Sequence, residues 1–157
     1  MRKKGFTLIE LIFVVIIVGI LAVLALPKYQ GMKENAEVTD VFKVVQDAIS
    51  SVPPTYLNLE DLNGTKATIT DIFVVKGSPY WTKTTVDGYP AWQYHNPSKN
   101  DLNATITIDN GTHPAQLKAT IRVVDDPNSI KYQKLRRLVT GNIGRFDGTY
   151  SVTIDLE

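Results

Sequence analysis

The feature that most constrains this chain is an apolar run close to its start. From Phe6 to Leu26 only Thr7 and Glu10 carry polar side chains. A surface of that kind has to be covered by lipid, by a deep core or by other copies of itself. As a helix rising about 1.5 Å per residue the run reaches about 31 Å, enough to cross the hydrocarbon core of a bilayer. Ahead of it, Met1-Arg2-Lys3-Lys4-Gly5 forms a short basic leader. Basic residues flanking a span stay on the cytoplasmic side, so the bulk of the chain lies across the membrane. Pro27 and Lys28 close the run.

Composition adds exclusions. The formal net charge of the 157 residues is +1, which gives no reason to expect nucleic acid or a strongly charged substrate as partner. Cysteine is absent, which removes disulfides, thiolate nucleophiles and sulfur-ligated zinc. Beyond Pro27 the chain reads as an ordinary polar domain.

Three readings of the N-terminus compete. A secretory signal peptide has the same basic start, and Val23-Leu24-Ala25 offers a cleavage context, but the apolar run exceeds the usual 7–15 residues. A plain single-pass anchor fits the length. Neither explains Glu10, because an ionisable group within a spanning segment costs about 2.5–3.5 kcal/mol at the bilayer centre and usually has a function. A local role is available: Thr7-Leu8-Ile9-Glu10 matches a capping box, which would satisfy backbone N–H groups at a helix start.

The third reading joins Gly5 to Glu10. Gly5-Phe6-Thr7-Leu8-Ile9-Glu10-Leu11 after a basic leader resembles the processing signature of type IV prepilins and type II secretion pseudopilins. The resemblance covers roughly the first 50 residues. It implies cleavage after Gly5 by a membrane prepilin peptidase and N-methylation of Phe6. It also implies that Glu10 pairs with the new α-amino group, commonly that of a neighbouring subunit. A buried carboxylate and a buried ammonium are each costly alone, and the pair fixes one axial register. On this resemblance residues 1–5 are a leader and 6–27 a transmembrane and filament-core helix. Residues 28–157 are then a periplasmic globular domain that includes the second half of the helix. The implied partners are other copies of the chain in a helical homopolymer, the inner membrane, the peptidase and an assembly platform. The filament is a cell-surface pilus for adhesion or motility, or a periplasmic pseudopilus. A rival of another class is a membrane-anchored binding protein that never polymerises.

Past the membrane the pattern turns amphipathic. Val38, Val41, Val45, Ile49 and Val52 recur at spacings of three and four, with Phe42 and Ala48 beside them. The stripe predicts one bent helix from Phe6 to Val52, about 70 Å long, loosened at Gly19 and kinked at Pro27 and stopped by Pro53-Pro54. Strands are expected at Ala67–Thr70 and Ile72–Val75, at Ala104–Ile108, at Ala119–Val124 and at Tyr150–Leu156, with Asn110-Gly111 as a turn. A short helix is expected from Asn128 to Val139, closed by Gly141. Gly77–Lys99 reads as an irregular, aromatic-rich loop whose rings pack inward rather than bind carbohydrate. The class is α+β, an antiparallel sheet packed on the second half of the long helix.

Catalytic constellations are missing. His95 and His113 are the two histidines, each beside proline or in loop context. Asp125-Asp126 and Asp109-Asn110 lack a recognisable cation-ligand spacing, so no metal and no cofactor is expected, and no enzymatic role. Asn-x-Ser/Thr sequons stand at Asn63, Asn103 and Asn110; the first two, each preceded by Asp-Leu, are candidate glycosylation sites.

Overall fold

The computed structural model describes residues 6–64, 66–76, 78–140 and 146–156, which divide into two compact units, Met1–Glu34 and Asn35–Glu157. One helix, α1 (Leu8–Asn63), contributes to both. Then follow α2 (Ile69–Ile72), β1 (Trp81–Val86), β2 (Tyr89–His95), β3 (Leu102–Asp109), β4 (Gln116–Val123), α3 (Ile130–Thr140) and β5 (Thr149–Asp155). The expected α+β class is what the chain adopts.

In the first unit every described residue from Phe6 to Gln30 is exposed. Its most apolar window has a mean hydropathy of 3.2, and none of that window is buried within the chain. Length and apolarity alone suffice for a membrane crossing. Helical backbone runs through Pro27 without a break, so the proline acts inside the helix rather than ending it.

The second unit is a five-stranded antiparallel sheet in the order β1-β2-β3-β4-β5, each strand paired with its sequence neighbour. Its inner face alternates with its outer face along each strand, as pleating requires. Leu102, Ala104, Ile106 and Ile108 of β3 and Leu117, Ala119, Ile121 and Val123 of β4 are buried inward. Against them pack Val38, Val41, Val45, Ala48, Val52 and Tyr56 of α1. The predicted stripe is therefore the core face, and each of its fully buried valines stabilises by about 1.5–3 kcal/mol.

Several expectations give way. Pro53-Pro54 does not stop α1, which continues to Asn63. A proline pair inside a helix is costly, but Val52 and Tyr56 are buried on either side of it, and the Tyr56 hydroxyl donates to Asn110 Oδ1 at 3.1 Å. Tertiary anchoring outweighs the local break. The actual stop is Gly64, at φ +61, whose N–H returns to Glu60 O at 2.8 Å.

The segment Ala67–Val75 forms no strand. Thr68 and Asp71 make a capping box, with Thr68 N–H and Oγ1 both donating to Asp71 Oδ2 at 3.1 and 2.6 Å, and this turns the β-branched run into α2. The region Gly77–Lys99 is not an irregular loop. It contains the β1–β2 hairpin, turned at Asp87 (φ 51) and Gly88 (φ 87), the Asp-Gly pair that a tight hairpin favours. The inward reading of its rings holds for Trp81, Trp92 and Tyr94, all buried. Trp92 Nε1 donates to Phe73 O at 2.8 Å, which fixes the segment after α2 over the sheet's inner edge.

Strands β3, β4 and β5 and helix α3 fall where the alternation and the caps put them, within three residues at most of their ends. Asn110-Gly111 turns β3 into β4. Gly141 lies outside the described residues. Helix α3 is anchored by Tyr132 and Leu135 in the core and by the Tyr132 hydroxyl, which donates to Phe146 O. Its Lys131, only 1% exposed, reaches Glu37 of α1 and Asp101, just ahead of β3, both at 2.7 Å.

Candidate assembly site

The start of α1 is built by Thr7. Its side-chain oxygen accepts from Glu10 N–H at 3.3 Å, while its own N–H and hydroxyl donate to Glu10 Oε2 at 3.0 and 2.8 Å. The reciprocal exchange satisfies orphan donors at the helix terminus. A carboxylate in the first turn also opposes the positive end of the helix dipole. The capping role and the assembly role are therefore compatible: the cap holds Glu10 in one place at the head of the apolar segment.

Among the described residues, the side chains around this carboxylate other than Thr7 are apolar and uncovered. Phe6 is 75% exposed, and Leu8, Ile9, Leu11 and Phe13 are all more than half exposed. Gly19 has nothing within 4 Å of where a Cβ would stand, leaving room for the backbone of another helix to approach. Gly5 lies outside the described residues. The site thus gathers Phe6, Thr7 and Glu10 within one helical turn, with Gly19 and Pro27 further along the same apolar segment.

The other singled-out residues occupy different places. Asn63 ends α1. Asn103 lies in β3, where its Oδ1 meets His95 Nδ1 at 3.0 Å and its Nδ2 donates to Asn100 Oδ1 at 3.3 Å. Asn110 is used by the fold: it accepts from Tyr56 and donates to Ala67 O at 3.1 Å. Asp109 is held by Lys118 at 2.6 Å and by Gly111 N–H at 3.0 Å. The hydrogen bond from Lys118 leads the effects that keep the Asp109 carboxyl below its ordinary range, and Lys118 is raised in return. Asp126 accepts from Asn128 N–H within a turn. The Glu37–Lys131–Asp101 cluster was not readable in advance, because its members lie far apart in the chain and share no spacing.

Residues 1–26 match the family model described as the prokaryotic N-terminal methylation motif. The chain is 42% identical over 77 residues to a fimbrial protein of Neisseria meningitidis, covering 48% of this chain and 45% of that one. It is 48% identical over 56 residues to a type IV major pilin protein of Neisseria gonorrhoeae, 36% of this chain and 34% of that one. Over 41 residues it is 54% identical to a fimbrial protein of Eikenella corrodens, 26% of each chain. The chain thus spans less than half the length of the relatives it matches. No solved structure matches it. The chain thus carries the methylation motif at residues 1–26 and shares segments with proteins named fimbrial protein and type IV major pilin protein.

Proposed function

We propose that this chain is a structural subunit of a type IV pilus, cleaved after Gly5, methylated on the new Phe6 amino group and polymerised through the first half of α1. The observation that carries the proposal is an apolar helical segment exposed from Leu8 to Leu26, with one carboxylate, Glu10, fixed at its head by Thr7. Before assembly that helix resides in the inner membrane with the second unit in the periplasm. In the filament it exchanges lipid for other copies of itself.

That exchange gains little from the hydrophobic effect, since lipid tails are as apolar as leucine. Helix packing and polar pairing must then decide both affinity and register. Cleavage creates an ammonium on Phe6, and a carboxylate and an ammonium removed from water together tolerate what neither tolerates alone. Glu10 pairs with the Phe6 ammonium of a neighbouring copy, so that axial positions leaving either charge unpaired are disfavoured. Gly19 permits close helix approach, and Pro27 marks the place where α1 yields as copies pack. The peptidase, the assembly platform and the energy source are separate proteins.

A surface pilus is favoured over a secretion pseudopilus because the similar proteins carry the names fimbrial protein and major pilin. The test is filament formation in cells expressing Glu10→Ala or Glu10→Gln in place of the native chain. Loss of filaments with normal membrane insertion supports the proposal. Filaments of normal number and length would overturn the role given to Glu10.

A further inference from the structure

Between Pro27 and the start of the second unit at Asn35, α1 carries Lys28-Tyr29-Gln30-Gly31-Met32-Lys33-Glu34. Tyr29 is 67% and Met32 70% exposed, and both lysines are exposed with them. At about 100° per residue, Lys28, Met32, Tyr29 and Lys33 fall in that order within an arc of about 140°. The other side of the helix holds Gln30, Gly31 and Glu34, of which Gly31 and Glu34 are half-buried. One face therefore alternates two cations with a thioether and an aromatic ring, and the single acid of the segment is turned away from it.

Covalent continuity decides what meets this face. When Phe6–Leu26 crosses the hydrocarbon core, Lys28 follows Leu26 by about 3 Å of helix rise, Tyr29 by about 4.5 Å, Met32 by about 9 Å and Lys33 by about 10.5 Å. The headgroup layer on each side of the core is about 5–7 Å thick, and helical side chains lean back towards the N-terminus, so all four side chains reach it. Its chemistry matches theirs. Tyrosine settles at that level with its ring against apolar surface and its hydroxyl in water. Lysine extends its ammonium to the phosphates while its methylenes stay on apolar surface. Two lysines with no acid on the face select an anionic surface, each favouring it about fivefold. A second copy presenting the same face is a poorer occupant, because it would set lysines against lysines.

We propose that Lys28, Tyr29, Met32 and Lys33 dock α1 on the headgroup layer of an anionic bilayer and so fix the depth of the chain before assembly. This role rests on the reading that the first half of α1 crosses the membrane, and it adds a lipid class and a task for the segment beyond the crossing. Because helical backbone runs unbroken through Pro27, the contact acts along the whole apolar segment. Glu10 lies about 28 Å of rise before Tyr29, near the opposite edge of a core about 30 Å thick. The face at Tyr29 therefore also sets how deep that carboxylate sits.

The chain has no cysteine, so a nitroxide label goes to one chosen residue of the full-length protein. Leu21→Cys and Gln30→Cys, the second on the side away from the lysines, are labelled and reconstituted in vesicles of phosphatidylcholine, alone or mixed equally with phosphatidylglycerol. Collision with oxygen and with a water-soluble nickel chelate reads the depth of each label. The expected result puts position 21 in hydrocarbon in both lipids. Position 30 is expected at headgroup level, and deeper in the anionic vesicles than in the neutral ones. Lys28→Gln with Lys33→Gln should abolish that difference between lipids. Tyr29→Ser with Met32→Ser should move position 30 towards water in both. With position 21 in hydrocarbon, a position 30 equally open to the chelate in both lipids, or unmoved by both double variants, would overturn the headgroup contact alone. Position 21 open to the chelate would overturn the membrane crossing, and the headgroup contact with it.

Discussion

Lys131 Nζ lies 2.7 Å from Glu37 Oε2, joining α3 to α1 through a cation that is 1% exposed. The same ammonium reaches Asp101 Oδ1 at 2.7 Å. Glu37 Oε1 in turn accepts from the Tyr94 hydroxyl at 2.7 Å and from Asn96 Nδ2 at 3.4 Å. Helix, sheet and the segment ahead of β3 therefore meet on one carboxylate. A charge pair taken out of water contributes modestly to net stability, yet removing one partner leaves the other uncompensated. Asp101 keeps about a third of its exposure and moderates the loss. Lys131→Ala is expected to destabilise the second unit by about 3 kcal/mol. Urea unfolding in detergent, followed by circular dichroism, measures it.

The same cluster sets a pH dependence. Burial works to raise the Glu37 carboxyl, but hydrogen bonds from Lys131 and Tyr94, the Lys131 charge and Asn96 together hold it below the ordinary 4.5. In the unfolded chain Glu37 takes up its proton near that ordinary value; in the fold it does so only at lower pH. Its contribution is therefore fully present above about pH 4.5 and is lost as pH falls through the lower folded value. Unfolding midpoints measured from pH 7 down to pH 3 should fall at the acid end, and Glu37→Gln should flatten that fall.

What the sequence disclosed follows the range over which each signal acts. The apolar run, the Thr7–Glu10 cap and the stripe from Val38 to Val52 are local periodic patterns, and all appear where they were expected. Strands β4 and β5 alternate because one face is more buried than the other, and β3 does so up to Thr107, which is buried between Ile106 and Ile108. The misses are places where a second signal competed. At Pro53-Pro54 the burial of Tyr56 and its bond to Asn110 prevail over a local breaker. At Thr68 a cap prevails over β-branched propensity. Asp87-Gly88 was a readable hairpin turn, hidden by the density of aromatics and prolines around it. The N-terminal methylation motif was legible in the residues that carry it. The Lys131 cluster was not, since nothing in a sequence marks residues that meet only after folding.

Asn110 tests the difference between a surface sequon and a structural asparagine. Its amide accepts from Tyr56 and donates to Ala67 O. Asn110→Ala should cost about 2 kcal/mol, by removing the bonds that tie the turn after β3 to Tyr56 and to Ala67 O. Tyr56→Phe in the same background should cost less than it does alone, because the bond between the two side chains is already gone. A double-mutant cycle in urea reads both numbers.

Thr7 sets the helix start. Thr7→Val keeps the shape but removes the hydroxyl that bonds Glu10 N–H and Oε2, at a cost of about 1 kcal/mol confined to the first turn. Amide hydrogen exchange in micelles should quicken at Glu10 and stay unchanged in the sheet. Thr7→Ser should restore protection.

Processing at Gly5 and Phe6 is tested most directly by the intact mass and N-terminal sequence of the mature protein from its native membrane. The expected result is a chain that begins at Phe6 and carries one methyl group on its amino nitrogen. A chain that begins near Leu26, or retains Met1, would contradict it, because the apolar half of α1 would then be discarded or never supplied with the ammonium that Glu10 is there to meet.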